Sequence, residues 1–161
     1  MNRNCPDYYI EPSVKESLET TKALIDYIKG LPPTASGEIL VHPIITPRFA
    51  IACTDELLTK LGELAGTFLD IPIQTHISEN LKEIEETLKL FPQCASYADV
   101  YDHFKLLRHN TVLGHGVYLT DHELELIAKQ GAGVAHCPAS NFNLSSGMAK
   151  VGKMLDYGVK V

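Results

Sequence analysis

The chain has 161 residues, 45% hydrophobic and 21% charged, a balance that suits one globular domain with a sizeable core. A net charge of −6 leaves no basic face for a phosphate backbone, so nucleic acid is not an expected partner. No apolar run approaches the roughly 18 residues of a membrane span, which removes a membrane as well.

The pattern along the chain alternates amphipathic helical runs with short branched runs. Residues 12–29 place Val14, Leu18, Thr21, Ile25 and Ile28 at helical spacing, and Gly30 with the pair Pro32 and Pro33 stops them. Residues 39–46 (ILVHPIIT) read as a buried strand. Thr54 caps a helix predicted over 55–69, with Leu57, Leu58, Leu61, Leu64 and Phe68 on one face. A strand over 71–75 and a helix over 79–91, ended by Pro92, repeat the cycle. A short helix near 97–107 precedes a strand at 111–113. Thr120 with Glu123 forms a capping signature for a helix over 122–130. A glycine-rich strand over 131–135 follows, then a last helix near 145–157 and the start of a strand at 159–161.

Strands alternating with helices point to βαβ units and a parallel sheet. Four strands and the start of a fifth are predicted, whereas a closed eight-stranded barrel takes about 250 residues. The expectation is an α/β fold holding about half a barrel, and a truncated chain. The cysteines Cys5, Cys53, Cys94 and Cys137 form no C-x-x-C pair, so neither a disulfide framework nor a cysteine-built zinc site is expected. Reduced thiols, and an opening without an apolar leader, point to a cytoplasmic setting.

In parallel α/β folds, functional side chains gather where strands end. His76 follows an apolar strand, and Glu79 lies three residues on. Such a histidine is either a structural hydrogen-bonding group or a ligand, since neutral imidazole binds zinc well. A carboxylate beside it can move protons for a metal-activated water. His115 sits between Gly114 and Gly116 at the next strand end, where glycines allow a sharp turn. Two such ends in successive units favour a shared metal over two unrelated histidines.

At a third end, His136 and Cys137 are possible ligands, but Pro138, Ser140 and Asn141 suggest a shaped turn whose side chains bond backbone. Arg48 is either a surface charge or a donor to a planar carbonyl ligand, and Phe49 either stacks on a ring or joins the core. His42, His103, His109 and His122 read as structural or exposed, and Glu83, Glu85 and Glu86 as a solvated helix face. No glycine-rich nucleotide loop and no G-x-S-x-G elbow is present.

Taken together, TPRF (46–49), THISEN (75–80), LGHG (113–116) and AHCPASNFNLSSG (135–147) closely resemble the guanine deaminases of the amidohydrolase superfamily. The opening MNRNCPDYYIEPSVKESL also looks like the loop and helix after the third barrel strand of that family. HISE and HCPxSN occur in related aminohydrolases acting on other rings, whereas TPRF favours the guanine deaminases.

The resemblance implies a partial TIM (β/α)8 barrel of the metal-dependent hydrolase type, strands 4–7 and the start of 8, as one domain over residues 1–161. It implies one zinc ion per intact site, with His76 and His115 as ligands and Glu79 as proton shuttle. Arg48 and Phe49 would bind guanine, which is hydrolysed to xanthine and ammonia in purine catabolism, and the full-length protein would be a homodimer. The family also uses an H-x-H pair and a late aspartate that this sequence lacks, so zinc binding by the chain alone is expected to be weak or absent and the chain inactive. Alternatives are a related aminohydrolase for another heterocycle, or a catalytically dead product that binds intact subunits.

Overall fold

The computed structural model describes residues 1–161. Five of its helices start where a short polar side chain can take up a free backbone N–H. Ser13, Thr54, Asn80, Ser96 and Thr120 each accept a hydrogen bond from the N–H three residues on. They open α1 (Val14–Lys29), α2 (Asp55–Thr67), α3 (Leu81–Leu90), α4 (Tyr97–His103) and α5 (Asp121–Gln130). The caps of α3 and α5 are reciprocal boxes, Asn80 with Glu83 and Thr120 with Glu123.

The strands β1 (Ile73–Ile77), β2 (Thr111–His115) and β3 (Gly133–Ala135) pair in chain order, all parallel. Ile73 faces Thr111 and Ile77 faces His115; Val112 and Gly114 of β2 face Gly133 and Ala135. Strand alternation sends Ile73, Thr75, Ile77, Thr111 and Leu113 into the helix layer, where all are buried. There Ile73, Ile77 and Leu113 join Leu57, Leu58, Phe91, Tyr97, Tyr101, Leu106 and Ile127 in a single apolar core. Gln74, His76 and Val112 emerge on the opposite, more open face. No helix is long and apolar enough to cross a membrane, and all four cysteines are free thiols.

Several expectations need correction. The first predicted strand, over 39–46, is a single bridge between Ile45 and Ile73. Pro43 and Pro47 have no N–H to give, so the ladder cannot extend past Ile45; Ile39, Leu40, Val41 and Ile44 stay exposed. The last predicted strand is likewise one bridge, Lys160 with Gly133. The expected partial barrel stands, as a three-stranded parallel arc with a single bridge at each edge where the outer strands were expected.

Gly131 belongs to the end of α5, not to a strand, because its left-handed φ of 71° caps the helix. The helix expected over 145–157 is only α7 (Val151–Asp156), and the turn expected around Pro138 to Asn141 is a further short helix, α6 (Pro138–Asn143). Ser145 (φ 54°) and Gly147 (φ 133°) turn the chain out of helical space between them.

Candidate functional site

The C-terminal ends of β1 and β2 converge on two imidazoles. His76 leaves β1 on the open face. His115 ends β2 opposite Ile77 and, on simple alternation, would turn away from His76. Its backbone instead adopts φ 77° and Gly116 follows at φ 58°, so the chain twists at the strand end. The result is a stacked pair, with ring centroids 5.1 Å apart and planes 18° from parallel. A side chain at position 116 would press on Val134, Leu119 and Met154 at 3.0 to 3.3 Å, which explains that glycine. Gly114 is ordinary strand backbone lying beside the His76 ring, 3.8 Å from a notional Cβ.

His76 is held from several sides. Its Nδ1 lies 2.5 Å from the Arg48 carbonyl oxygen, and its backbone N–H donates to the same oxygen at 3.2 Å. A carbonyl only accepts, so Nδ1 carries the hydrogen and Nε2 keeps its lone pair. Beneath, the buried Tyr101 hydroxyl donates to the His76 carbonyl at 2.7 Å. That hydroxyl accepts from Ala50 N–H at 3.1 Å and from Thr75 Oγ1 at 2.9 Å. Burial pushes the Tyr101 phenol well above its ordinary pKa, so it stays a donor.

His115 is buried, with Nδ1 2.9 Å from Asn141 Oδ1 and 3.6 Å from Glu79 Oε1. Glu79 also accepts from the Ser146 hydroxyl at 3.2 Å. Both rings thus have Nδ1 facing an oxygen, the placement that usually supports a metal-ligating histidine. The chain brings together no group of three or more His, Cys, Asp or Glu side chains able to hold a metal ion. Two imidazoles supply at most two of the about four donors that a zinc site needs.

A cleft of about 320 Å³ opens beside His76, lined by Arg48, Phe49, Ile51, Glu79, Asn80 and Glu83 among others. That lies within the usual range for small-molecule sites. The Phe49 ring meets the His76 ring edge-on, centroids 5.8 Å apart, and the Arg48 guanidinium sits 5.2 Å from the Phe49 centroid. All five predicted site residues, Arg48, Phe49, His76, Glu79 and His115, thus meet in one region.

Three residues were read differently from sequence. Asn141, expected in a turn whose side chains bond backbone, instead reaches the His115 ring with its side chain, 26 positions away. Nothing local in the sequence signals such a contact. Ser146, on Glu79, was not singled out. Glu83, expected on a solvated face, is 7% exposed and accepts from Tyr97 Oη at 2.9 Å and from Glu79 N–H at 2.9 Å. The Asn80-x-x-Glu83 spacing of a capping box was the available signal. Of the remaining candidates, His136 is exposed, and Cys137 Sγ donates to the Ala135 carbonyl at 3.2 Å.

Known proteins share both sequence and fold. A protein of Schizosaccharomyces pombe described as "Probable guanine deaminase" is 52% identical over the whole chain, which spans 30% of that protein. The solved guanine deaminase of C. acetobutylicum with bound guanine in its active site superposes with a TM-score of 0.90 at 39% identity, covering all of this chain and 37% of that one. An atrazine chlorohydrolase variant from Arthrobacter aurescens, complexed with zinc and atraton, superposes at 0.84 with 20% identity and shares the fold alone. The chain spans about a third of the length of the curated relatives it matches. A family model described as "Amidohydrolase family" matches residues 2–161, so the parallel sheet, its strand-end histidines and the sequence likeness agree: the chain belongs to the amidohydrolase family.

Proposed function

We propose that residues 1–161 form one part of the barrel domain of a zinc-dependent guanine deaminase, which hydrolyses guanine to xanthine and ammonia in purine catabolism. The observation that carries this reading is the meeting of Arg48, Phe49, His76 and Glu79 around one cleft, with His115 stacked on His76. Relatives described as guanine deaminases, identical at 38% to 52% over the whole chain, support the substrate.

His76 and His115 would hold the ion through Nε2, and further donors must come from outside these residues. Zinc, when bound, supplies a Lewis acid that makes water nucleophilic near neutral pH. Glu79 takes a proton from the attacking water and delivers it to the purine ring or the departing amine. The Ser146 hydrogen bond fixes the carboxylate for that transfer. Arg48, as a planar donor, meets the guanine carbonyl, and Phe49 flanks the ring. The net charge of −6 suits a neutral small substrate rather than a polyanion. The resemblance further implies a cytoplasmic homodimer for the full-length enzyme.

The test is a chimera in which this chain replaces the matching segment of its 52% identical relative. The chimera is expected to bind zinc and release ammonia from guanine, in preference to pterins and triazines. Glu79→Gln should lower kcat by about 10²- to 10⁴-fold with zinc retained, and His76→Ala or His115→Ala should lose the metal. A folded, zinc-loaded chimera that spares guanine while the relative itself deaminates it would overturn the reading.

A further inference from the structure

Which nitrogen of His115 carries the hydrogen decides whether that ring can act as a ligand. The partner of its Nδ1 is a side-chain amide, which can present either an oxygen or an NH2 group. The surroundings remove the ambiguity. Asn141 Oδ1 lies 2.9 Å from Nδ1, and a second oxygen, Glu79 Oε1, lies 3.6 Å from the same atom. Two acceptors around one ring nitrogen call for a donor between them. A rotated amide would place its NH2 on Nδ1 and leave that atom's lone pair facing the carboxylate.

Asn141 is also placed firmly enough to choose. It is 1% exposed, its N–H donates to the Cys137 carbonyl at 2.9 Å, and its carbonyl accepts from Ser146 N–H at 2.8 Å. Its own amide nitrogen is buried without a partner. The carboxylate beside His115 Nδ1, and not the satisfaction of the amide's own donor, therefore fixes which way the amide faces.

We propose that Asn141 is a positioning residue: its amide oxygen holds His115 as the Nδ1–H tautomer, so that Nε2 keeps its lone pair. Arg48 does the same for His76 through its backbone carbonyl. One ring is thus set by main chain, which no substitution at position 48 removes, and the other by a side chain reaching in from α6. The consequence for metal binding rests on the deaminase reading, whereas the tautomer does not.

The experiment is long-range proton–nitrogen NMR of the imidazole rings in the zinc-free, ¹⁵N-labelled chain, with His115 assigned by its loss in His115→Gln. The expected spectrum shows a hydrogen-bearing Nδ1 and a bare Nε2 at His115, opposite to the preference of a free histidine side chain in water. Asn141→Leu should reverse the pair, and Asn141→Asp, which keeps an acceptor, should leave the hydrogen on Nδ1. An Nε2–H ring in the unsubstituted chain, or an unchanged Nδ1–H ring in folded Asn141→Leu, overturns the proposal. If Asn141→Leu does not fold, the unsubstituted chain and Asn141→Asp decide: Nδ1–H in both supports it, and Nε2–H in either sinks it. Zinc binding by the chimera, measured separately, bears on the deaminase reading and leaves the tautomer result standing.

Discussion

The Ser146 hydroxyl donates to Glu79 Oε1 at 3.2 Å, joining positions 67 residues apart. The bond ties the loop between α6 and α7 to the carboxylate that follows β1. The loop is fixed in turn: the Tyr118 hydroxyl donates to the Ser146 carbonyl at 2.6 Å. Gly147 adopts φ 133°, and a side chain there would approach Tyr118 Oη to 2.9 Å. Ser146 is thus placed to orient Glu79.

Ser146→Ala removes that orientation and leaves the ligands untouched. A hydrogen bond to a charged group is worth about 1.5–3 kcal/mol, and partial exposure of Glu79 argues for the lower end. We expect kcat in the chimeric enzyme to fall about tenfold, with zinc content unchanged. Steady-state kinetics with metal analysis would check this. A rise in KM at constant kcat would show that the hydroxyl serves substrate binding instead.

Two glycines of α2 should respond to alanine with opposite signs. Glycine in a helix normally costs about 0.5–1 kcal/mol relative to alanine. Gly66 has open space where a Cβ would stand, so Gly66→Ala should stabilise the chain by about 0.5 kcal/mol. A Cβ on Gly62 would lie 2.0 Å from the Phe104 carbonyl oxygen, which is backbone and cannot swing aside. Gly62→Ala should therefore cost about 3 kcal/mol, the upper part of the overpacking range. Urea unfolding of both variants would show the midpoint rising for one and falling for the other.

Those glycines also mark what could be read from sequence. The helices α1 to α5 were legible because apolar residues at helical spacing follow a local cap, as with Thr54 and Thr120. The order of parallel units was legible because helices alternate with branched runs. His76, Glu79 and His115 stood out because β1 and β2 end in polar groups where a core would end in apolar ones, whereas Arg48 and Phe49, which follow the bridge at Ile45, carry no such signal. Contacts made across the fold left no mark. Asn141 looks like any turn asparagine until α6 carries it to His115, and Gly62 looks like a poor helix residue until Phe104 closes on it. The 39–46 run misled because branched residues report apolar character, whereas Pro43 and Pro47 decide how far a ladder runs.

The thiols should separate by burial. Cys53 is fully buried, and burial pushes its pKa up to about 11. The thiolate is the reactive species, so Cys53 should resist alkylation in the folded chain. Cys5 and Cys137 are partly exposed and should react first. Iodoacetamide labelling followed by peptide mass analysis would show Cys53 modified only in denaturant. Early modification of Cys53 would mean that the segment around Ala50 opens readily.

His122 gives the chain a small dependence on pH. Its Nε2 lies 3.0 Å from both Asp99 oxygens, and this hydrogen bond, with the charge of Asp99 and lesser contributions from Glu123 and Glu125, raises its pKa above the ordinary 6.5. A raised folded-state pKa means that the native chain holds its proton more tightly than the unfolded one. The stabilisation is then fully present below the unfolded value and is lost as pH rises through the folded value. Side-chain exposure of 59% at His122 keeps the pair weak and open to salt screening. His122→Gln should therefore be less stable than the parent below pH 6.5, and equal to it at alkaline pH. Raised salt should shrink the difference. Urea midpoints across pH for both chains would measure it; a gap that stays constant with pH would assign the effect to packing rather than charge.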